Sequence, residues 1–265
     1  MSGPYITKGR LAHLARHLSD RDWAVLHTLA RVRLATASQL ERLHFAGVSR
    51  RQARSALASL VSRRALARLP RQVGGVRAGS AGFVYALDVA GQRLTRSIES
   101  RPQRPWEVGQ IFLAHSLAVT ELIVGLAEAV RARCDGAALA QYEGEPGCWR
   151  PFTGPGGARA VLKPDAEVIL TFGRFEDRWL IEVDRATESR TALDRKLQRY
   201  LDYWRTGHEQ AATGVFPRVL WVVPDDARRA VMIDALGRLP AESWPLFAAS
   251  TSEEAVSRIL GGANA

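Results

Sequence analysis

Acidic side chains lie inside two apolar stretches that the sequence predicts as neighbouring β-strands. The first stretch, 161–170, contains Asp165, and the second, 178–184, contains Glu182 and Asp184. Burying an unpaired carboxylate is costly, so such groups usually lose their charge or find a cation. The pattern therefore indicates either a divalent-metal site or a paired, buried network of charges.

Residues two apart in a strand share one face of the sheet, and the short segment 171–177 predicts an antiparallel pair of strands. This arrangement brings Asp165 and Glu182 within reach of one hard cation, Mg²⁺ or Mn²⁺. Magnesium binds oxygen ligands and keeps several waters, so two or three carboxylates suffice. Such an ion would orient a water and stabilise charge on a phosphate. Glu167 is expected to be an exposed strand residue or a group behind the ligands.

The helix predicted over 187–203 carries candidates for the remaining chemistry. Lys196, Arg199, Tyr200 and Tyr203 share one helical face by their i, i+3, i+4, i+7 spacing. Lys196 would orient the attacking water or stabilise the transition state, and Tyr200 would support the lysine.

The same residues allow a non-catalytic interpretation. Asp165 and Glu182 would then pair with Arg185 or Lys196 as a structural network of ions. Both interpretations remain open at the level of the sequence.

Charge divides the chain unevenly. The net charge is +10, but residues 1–105 hold 19 basic and 5 acidic side chains, whereas the remainder has a net charge of −4. Arginine supplies 34 of the 37 basic residues, which raises the isoelectric point without explaining the asymmetry. A basic region joined to a mildly acidic one indicates a DNA-binding module followed by a domain with another task.

Helix-start signals recur in the basic region. Ser19, Thr36 and Ser49 each precede an apolar helical pattern, and Thr36 has the spacing of a capping box. Strand-like segments follow at 65–70 and 83–87, separated by a glycine-rich tip. Three helices and a hairpin in this order predict a winged helix-turn-helix.

In that fold the third helix would enter the major groove and the hairpin tip would reach the backbone or minor groove. A protein-binding winged helix with a solvated basic face is the alternative. The predicted DNA contacts are Arg50, Arg51, Gln52, Arg54, Arg63 and Arg64 on the helix, and Arg71 and Arg77 on the tip.

The proline-containing segment 100–105 predicts a linker between two domains, 1–100 and 106–265. The second domain begins with a long helical pattern over 110–131 and continues with strands and helices in alternation. The predicted fold class is α+β, with a winged helix-turn-helix followed by an α/β layered domain.

The second domain resembles the PD-(D/E)XK nuclease superfamily, the restriction-endonuclease-like fold. Pro164-Asp165 matches the PD element, and Glu182-Val183-Asp184 occupies the (D/E)XK element. Asp184 stands where the family has lysine, and Lys196 on the next helix is placed to supply it. The resemblance implies Asp165, Glu182, Asp184, Lys196 and Tyr200 as the catalytic set, with Asp165 and Glu182 as metal ligands.

The whole chain resembles the replication-relaxation family of plasmid and integrative-element proteins, over roughly residues 20–250. That resemblance implies a role in plasmid replication, DNA relaxation or conjugative mobilisation. The motifs that carry it are Tyr85-Ala86-Leu87 with Gly91, His115-Ser116-Leu117-Ala118-Val119, Lys163-Pro164-Asp165-Ala166, Ile181-Glu182-Val183-Asp184-Arg185, and Lys196 through Tyr200.

Three functions follow as hypotheses. The first is a metal-dependent DNA nickase, and the second is a non-enzymatic DNA-binding factor whose nuclease-like domain clamps DNA or forms a dimer. A tyrosine-type relaxase using Tyr200 or Tyr203 is disfavoured, because no histidine cluster accompanies them.

The expected partners are double-stranded DNA, a second copy of the chain, and replication or mobilisation proteins. No uninterrupted apolar stretch approaches the roughly 18 residues of a membrane span, so no membrane partner and a cytoplasmic location are expected. Cys134 and Cys148 lack metal-ligand spacing, which argues against a zinc site.

Overall fold

The computed structural model describes residues 6–69, 82–95 and 109–261. The chain has a mixed α+β architecture and divides into two compact units, Met1–Val124 and Gly125–Ala265. The predicted linker, 100–105, lies outside the described residues, and so does the predicted hairpin tip with Arg71 and Arg77.

Helices dominate the N-terminal unit. The helix starts predicted at Ser19, Thr36 and Ser49 are confirmed, and each of the three residues forms a capping box with the third residue after it. Helices α1 and α5 were not predicted from the sequence. The elements are α1 (Lys8–Arg16), α2 (Asp20–Val32), β1 (Ala35–Thr36), α3 (Ala37–His44), α4 (Arg50–Ser62), β2 (Leu66–Leu69), β3 (Val84–Leu87) and α5 (Val89–Thr95).

The two predicted strands of this unit form an antiparallel pair, with Leu66 opposite Leu87, and β1 adds to the far side of β3. Leu26, Leu40 and Leu57 are fully buried between the helices and this small sheet. Burial of apolar side chains from every element of this unit therefore fixes α4 in the core. The residues at the start of α4, Arg50 and Arg51, are exposed to solvent.

The long helix predicted over 110–131 is α6 (Gln110–Ala132), and the division between the two units falls within it. Among the described residues it is the one helix long and apolar enough to cross a bilayer, by length and composition alone. Core helices of soluble proteins meet the same criterion, and Val119, Ile123 and Leu126 of α6 are buried in the protein.

The C-terminal unit is built on a five-stranded mixed sheet of order β10-β9-β8-β7-β4. Strand β7 pairs antiparallel with both β4 and β8, whereas β9 pairs parallel with both β8 and β10. A separate hairpin pairs β5 with β6. The elements are β4 (Ala137–Gly144), β5 (Arg150–Thr153), β6 (Arg159–Leu162), β7 (Ala166–Phe172), β8 (Phe175–Val183), α7 (Arg190–Trp204), α8 (His208–Thr213), β9 (Arg218–Val223), α9 (Asp226–Gly237), β10 (Phe247–Thr251) and α10 (Ala255–Leu260).

The prediction of one strand over 161–170 is wrong, because this stretch forms two strands in different sheets. Strand β6 ends at Leu162, and β7 begins only at Ala166. Pro164 lies between them, and a proline cannot donate to a strand ladder. Asp165 therefore precedes its strand, although its backbone N–H still donates to the carbonyl of Ile181 at 3.0 Å.

A substitution at Gly91 would test how closely α5 packs within the N-terminal unit. A Cβ at this position in α5 would lie 2.1 Å from the carbonyl oxygen of Ala65 and 3.0 Å from a methyl of Leu87. We expect Gly91→Ala to lower the free energy of unfolding by about 2 kcal/mol or more, since the contacting backbone cannot yield without cost. Denaturant titration followed by circular dichroism measures this loss.

The matched control is Gly9→Ala in α1, where an added Cβ meets nothing within 4 Å. Alanine favours a helix over glycine by up to about 1 kcal/mol, so this variant should be as stable as the parent or more so. Equal stability of the two variants would contradict the close approach of α5 to Ala65.

Candidate functional site

Asp165 and Glu182 lie on the same face of the five-stranded sheet, as the strand spacing predicts. Ala166 pairs with Ile181 across the antiparallel strands, which places Asp165 directly opposite Glu182. Helix α7 covers this face, and its residues Leu193 and Leu197 pack in one core cluster with the strands. Asp165 and Glu182, the two acids of the predicted motif, therefore lie on the sheet face that α7 covers.

Glu182 is the centre of this arrangement and has no exposed surface. The hydroxyl of Tyr200 donates to its Oε1 at 2.5 Å, and Nζ of Lys196 lies 2.5 Å from its Oε2. The same ammonium group lies 3.7 Å from Oε1 of Glu188 and 5.3 Å from the ring centre of Trp221. The carboxylate is therefore enclosed by one cation, one hydroxyl and aromatic surface.

Burial dominates the electrostatics of this group. It raises the pKa of Glu182 to about 8; the charge of Lys196 opposes the rise and that of Asp165 adds to it. Burial by itself would lower the pKa of Lys196, but the charges of Glu182, Asp165 and Glu188 outweigh it and raise that pKa. Burial, followed by the charge of Glu182, holds the pKa of Tyr200 well above its usual range. The lysine is therefore a permanent cation, and the tyrosine is a neutral donor.

Asp184 follows Glu182 on the same sheet face but is committed to a different partner. Its Oδ2 lies 2.6 Å from Nε of Arg228, and its Oδ1 accepts from the backbone N–H of Ala186 at 2.7 Å. Arg228 also donates to the carbonyl of Glu188 at 3.1 Å. This arginine of α9 thus fastens the loop between β8 and α7, and nothing in the sequence distinguished it from the other arginines.

Glu167 belongs to a second buried network, and the expectation that it is exposed is wrong. Its Oε1 lies 2.6 Å from Nη2 of Arg150, whose Nε is 3.0 Å from Oε1 of Glu209. The hydroxyl of Tyr203 donates to the same Glu209 oxygen at 2.7 Å. Arg150 lies on β5, a strand that was not predicted from the sequence. Its pairing with Glu167 was therefore not predicted either.

The predicted face of α7 is only partly correct. Lys196, Tyr200 and Tyr203 point towards the sheet, but Arg199 is exposed. Arg185, the other proposed partner of the acids, is exposed as well. Of the two cations considered for a structural network, Lys196 is the one that pairs with Glu182.

Asp165 and Glu182 both have hydrogen-bond or ion-pair partners within the protein. Oδ2 of Asp165 accepts from the backbone N–H of Val183 at 2.7 Å, and both oxygens of Glu182 have partners. Within 6–69, 82–95 and 109–261, no three His, Cys, Asp or Glu side chains gather as a metal site. In this arrangement the ammonium group of Lys196 lies beside Oε2 of Glu182, at the position where the sequence predicts a divalent cation.

The basic residues of α4 form two groups at opposite ends of the helix. Arg50, Arg51 and Arg54 are exposed in the first turns, and the side chain of Arg50 is 84% exposed. Gln52 is also exposed, but its Oε1 accepts from the hydroxyl of Ser49 at 2.8 Å as part of the helix cap. The first turns therefore present three arginines to solvent.

At the other end, Arg63 is exposed at the C-cap, whereas Arg64 is half-buried. Nε of Arg64 lies 3.3 Å from Oδ2 of Asp88, just after β3. Arg64 also has a φ of 59°, in the left-handed region. Arg64 therefore stabilises the turn between α4 and β2, whereas the side chain of Arg63 is exposed to solvent.

The family model for replication-relaxation proteins matches residues 26–219. The chain belongs to the replication-relaxation family. The matched segment begins within α2 and extends into β9, so it includes Asp165, Glu182 and Lys196. No curated protein and no solved structure matches the chain at a significant level.

The pairing of Lys196 with Glu182 predicts a pH-dependent effect on stability. Without the cation, burial and Asp165 would hold the pKa of Glu182 still further above its ordinary value of 4.5. Folded Lys196→Met would then keep the Glu182 proton to a higher pH than the wild type, in which the pKa of Glu182 is about 8. Since the unfolded chain releases this proton near its ordinary pKa, the variant loses stability relative to the wild type as pH rises above 8. We expect Lys196→Met to cost about 3 kcal/mol at pH 9 and clearly less at pH 5.

Urea denaturation at both pH values measures this difference. Lys163→Met is the matched control, because Lys163 is exposed and its ammonium group lies over the ring of Trp149, 4.5 Å from the ring centre. It should change stability little at either pH. A cost for Lys196→Met that does not change between pH 5 and pH 9 would contradict a buried charge pair.

Proposed function

We propose that this protein binds duplex DNA of a plasmid or integrative element and acts, without cutting it, in replication, relaxation or mobilisation. Membership of the replication-relaxation family supports the process. The observation that carries the proposal is the enclosed carboxylate of Glu182, which is fully buried and bound by Lys196 and Tyr200. Double-stranded DNA would bind through the N-terminal unit.

The order of elements in the N-terminal unit supports a winged helix-turn-helix. Helices α2, α3 and α4 are followed by the antiparallel strands β2 and β3, as this fold requires. The first turns of α4 would then enter the major groove. Arg50, Arg51 and Arg54 are exposed there, and the positive charge of residues 1–105 would draw the unit towards DNA.

The C-terminal unit has features of a PD-(D/E)XK-like domain. Helix α6, the strands β7 and β8, helix α7 and the apolar strand β9 follow in the order of that fold. With its acids neutralised from within, this unit would serve for DNA clamping or for pairing two copies of the chain. A homodimer would suit paired half-sites on the DNA. The cytoplasm, where such DNA is replicated, is the proposed location.

Metal-dependent nicking is the second candidate function. One observation favours it: Asp165 and Glu182 share a sheet face, and Lys196 of α7 contacts Glu182 there. These are the residue types that the nuclease motif requires. Mg²⁺ or Mn²⁺ held by these two acids would supply charge stabilisation at a phosphate. This candidate requires that Lys196 give up its place beside Glu182.

DNA binding is tested by neutralising the first turns of α4. We expect Arg50→Gln/Arg51→Gln/Arg54→Gln to weaken duplex binding at least tenfold and to flatten the dependence of log K on log salt by about two to three units. Fluorescence anisotropy across a salt series measures both quantities. The matched control is Arg195→Gln/Arg199→Gln/Arg205→Gln, which removes three exposed arginines of α7 and its C-cap. Equal salt slopes for the two triple variants would rule out α4 as the main contact.

Nicking of supercoiled plasmid with Mg²⁺ or Mn²⁺ separates the two candidate functions. The proposal expects DNA binding by the wild type without any nicked product. Nicking that is lost in Asp165→Asn and Glu182→Gln but kept in Asp194→Asn would overturn it in favour of a nuclease. Asp194 is an exposed carboxylate on α7, so its loss controls for charge alone. Folding of each variant is checked by circular dichroism.

A further inference from the structure

A surface cavity of about 320 Å³ lies in the N-terminal unit, away from the first turns of α4. Helix α1 lines one side with Arg10, His13 and His17, and Arg63 contributes from the C-cap of α4. Ile6 and Leu14 form part of its apolar lining and are buried. The cavity therefore combines a basic wall with an apolar one, and none of its lining residues is acidic.

The two arginines of this cavity differ from most arginines with a structural role in this protein. Arg150 and Arg228 each pair with a carboxylate at 2.6 Å. For Arg10 and Arg63 no ion pair with an acidic side chain is found in the described parts of the chain, and both are exposed. Two guanidinium groups thus line one cavity, and no described acidic side chain is paired with either.

The histidines of the cavity are held in a defined arrangement. The rings of His13 and His17 lie 4.1 Å apart between their centres. Nδ1 of His17 lies 2.7 Å from the carbonyl oxygen of His13, and a carbonyl only accepts, so Nδ1 carries the hydrogen and donates. Nε2 of His17 is therefore the other ring nitrogen, an acceptor in the neutral imidazole and a donor in the imidazolium.

We propose that this cavity binds a phosphate group. Guanidinium groups bind phosphate through paired hydrogen bonds, and an imidazolium N–H can donate to the same phosphate. The volume lies at the lower end of small-molecule sites, so a phosphate together with an attached sugar or nucleoside fits. The apolar wall formed by Ile6 and Leu14 would contact such an attached group.

The phosphate would come either from the backbone of bound DNA or from a free phosphorylated molecule. The cavity is distinct from the first turns of α4, because Arg63 lies about 18 Å along the helix from Arg51 at 1.5 Å per residue. The proposal therefore does not depend on DNA binding by Arg50, Arg51 and Arg54.

The first measurement titrates the full-length protein with inorganic phosphate and with adenosine monophosphate, following the imidazole proton signals of His13 and His17 by NMR. We expect saturable shifts in the wild type and about tenfold weaker binding in Arg10→Gln and in Arg63→Gln. Arg63→Lys should recover part of the affinity, because it restores the positive charge. Arg16→Gln is the matched control, since Arg16 is exposed on α1 but does not line the cavity.

The second measurement identifies the source of the phosphate by anisotropy with a DNA duplex. If the backbone of DNA supplies it, Arg63→Gln lowers duplex affinity more than Arg16→Gln, and inorganic phosphate competes at its own dissociation constant. If a free molecule supplies it, adenosine monophosphate binds more tightly than inorganic phosphate and duplex affinity is unchanged by Arg63→Gln. Both results support a phosphate site.

The proposal is overturned if neither phosphate probe shifts the histidine signals of the wild type and Arg63→Gln binds DNA as Arg16→Gln does. It is also overturned if the shifts occur equally in Arg10→Gln, Arg63→Gln and Arg16→Gln, because binding would then not involve the cavity. Neither result bears on the α4 triple variant, so failure here is distinguishable from failure of DNA binding.

Discussion

The burial of one carboxylate, that of Glu182, constrains the whole C-terminal unit. A charged group without water contact costs several kcal/mol unless a cation and hydrogen bonds compensate it. Lys196 and Tyr200 provide both, one turn apart on α7, with contacts of 2.5 Å each. Because the two side chains must reach the same carboxylate, they fix the rotation and position of α7 on the sheet.

The same principle recurs along this sheet face. Three acids within or beside the central strands each have a cation from a different element: Arg150 of β5 for Glu167, Lys196 of α7 for Glu182, and Arg228 of α9 for Asp184. These pairs connect the hairpin and both helices to the sheet. The N-terminal unit uses its charges differently, because the arginines at the start of α4 and Arg63 at its end remain exposed to solvent. The buried acids of the C-terminal sheet are thus paired within the protein, whereas the arginines at both ends of α4 include several that are exposed.

Short sequence patterns were sufficient to predict many of the helices and strands. The caps at Ser19, Thr36 and Ser49 marked helix starts correctly, because a cap depends on contacts within four residues. Predictions failed where the partner lay far along the chain. The division of 161–170 into two strands depends on β5 and β8, which pair with its two parts separately. Strand β4 has only a short apolar run, mostly of alanine, and forms the edge of the sheet by pairing with β7.

The sequence by itself determined that acids and a lysine of nuclease type share one domain, that alternate strand residues bring Asp165 and Glu182 to one face, and that positive charge is concentrated at the N-terminal end. These properties follow from residue order and backbone periodicity. Only the tertiary structure decided which cation neutralises which acid, that Glu167 is buried, and that α1 meets the end of α4 around a basic cavity. Such pairings depend on segments tens of residues apart, whose approach is set by packing and by the cost of burying charge.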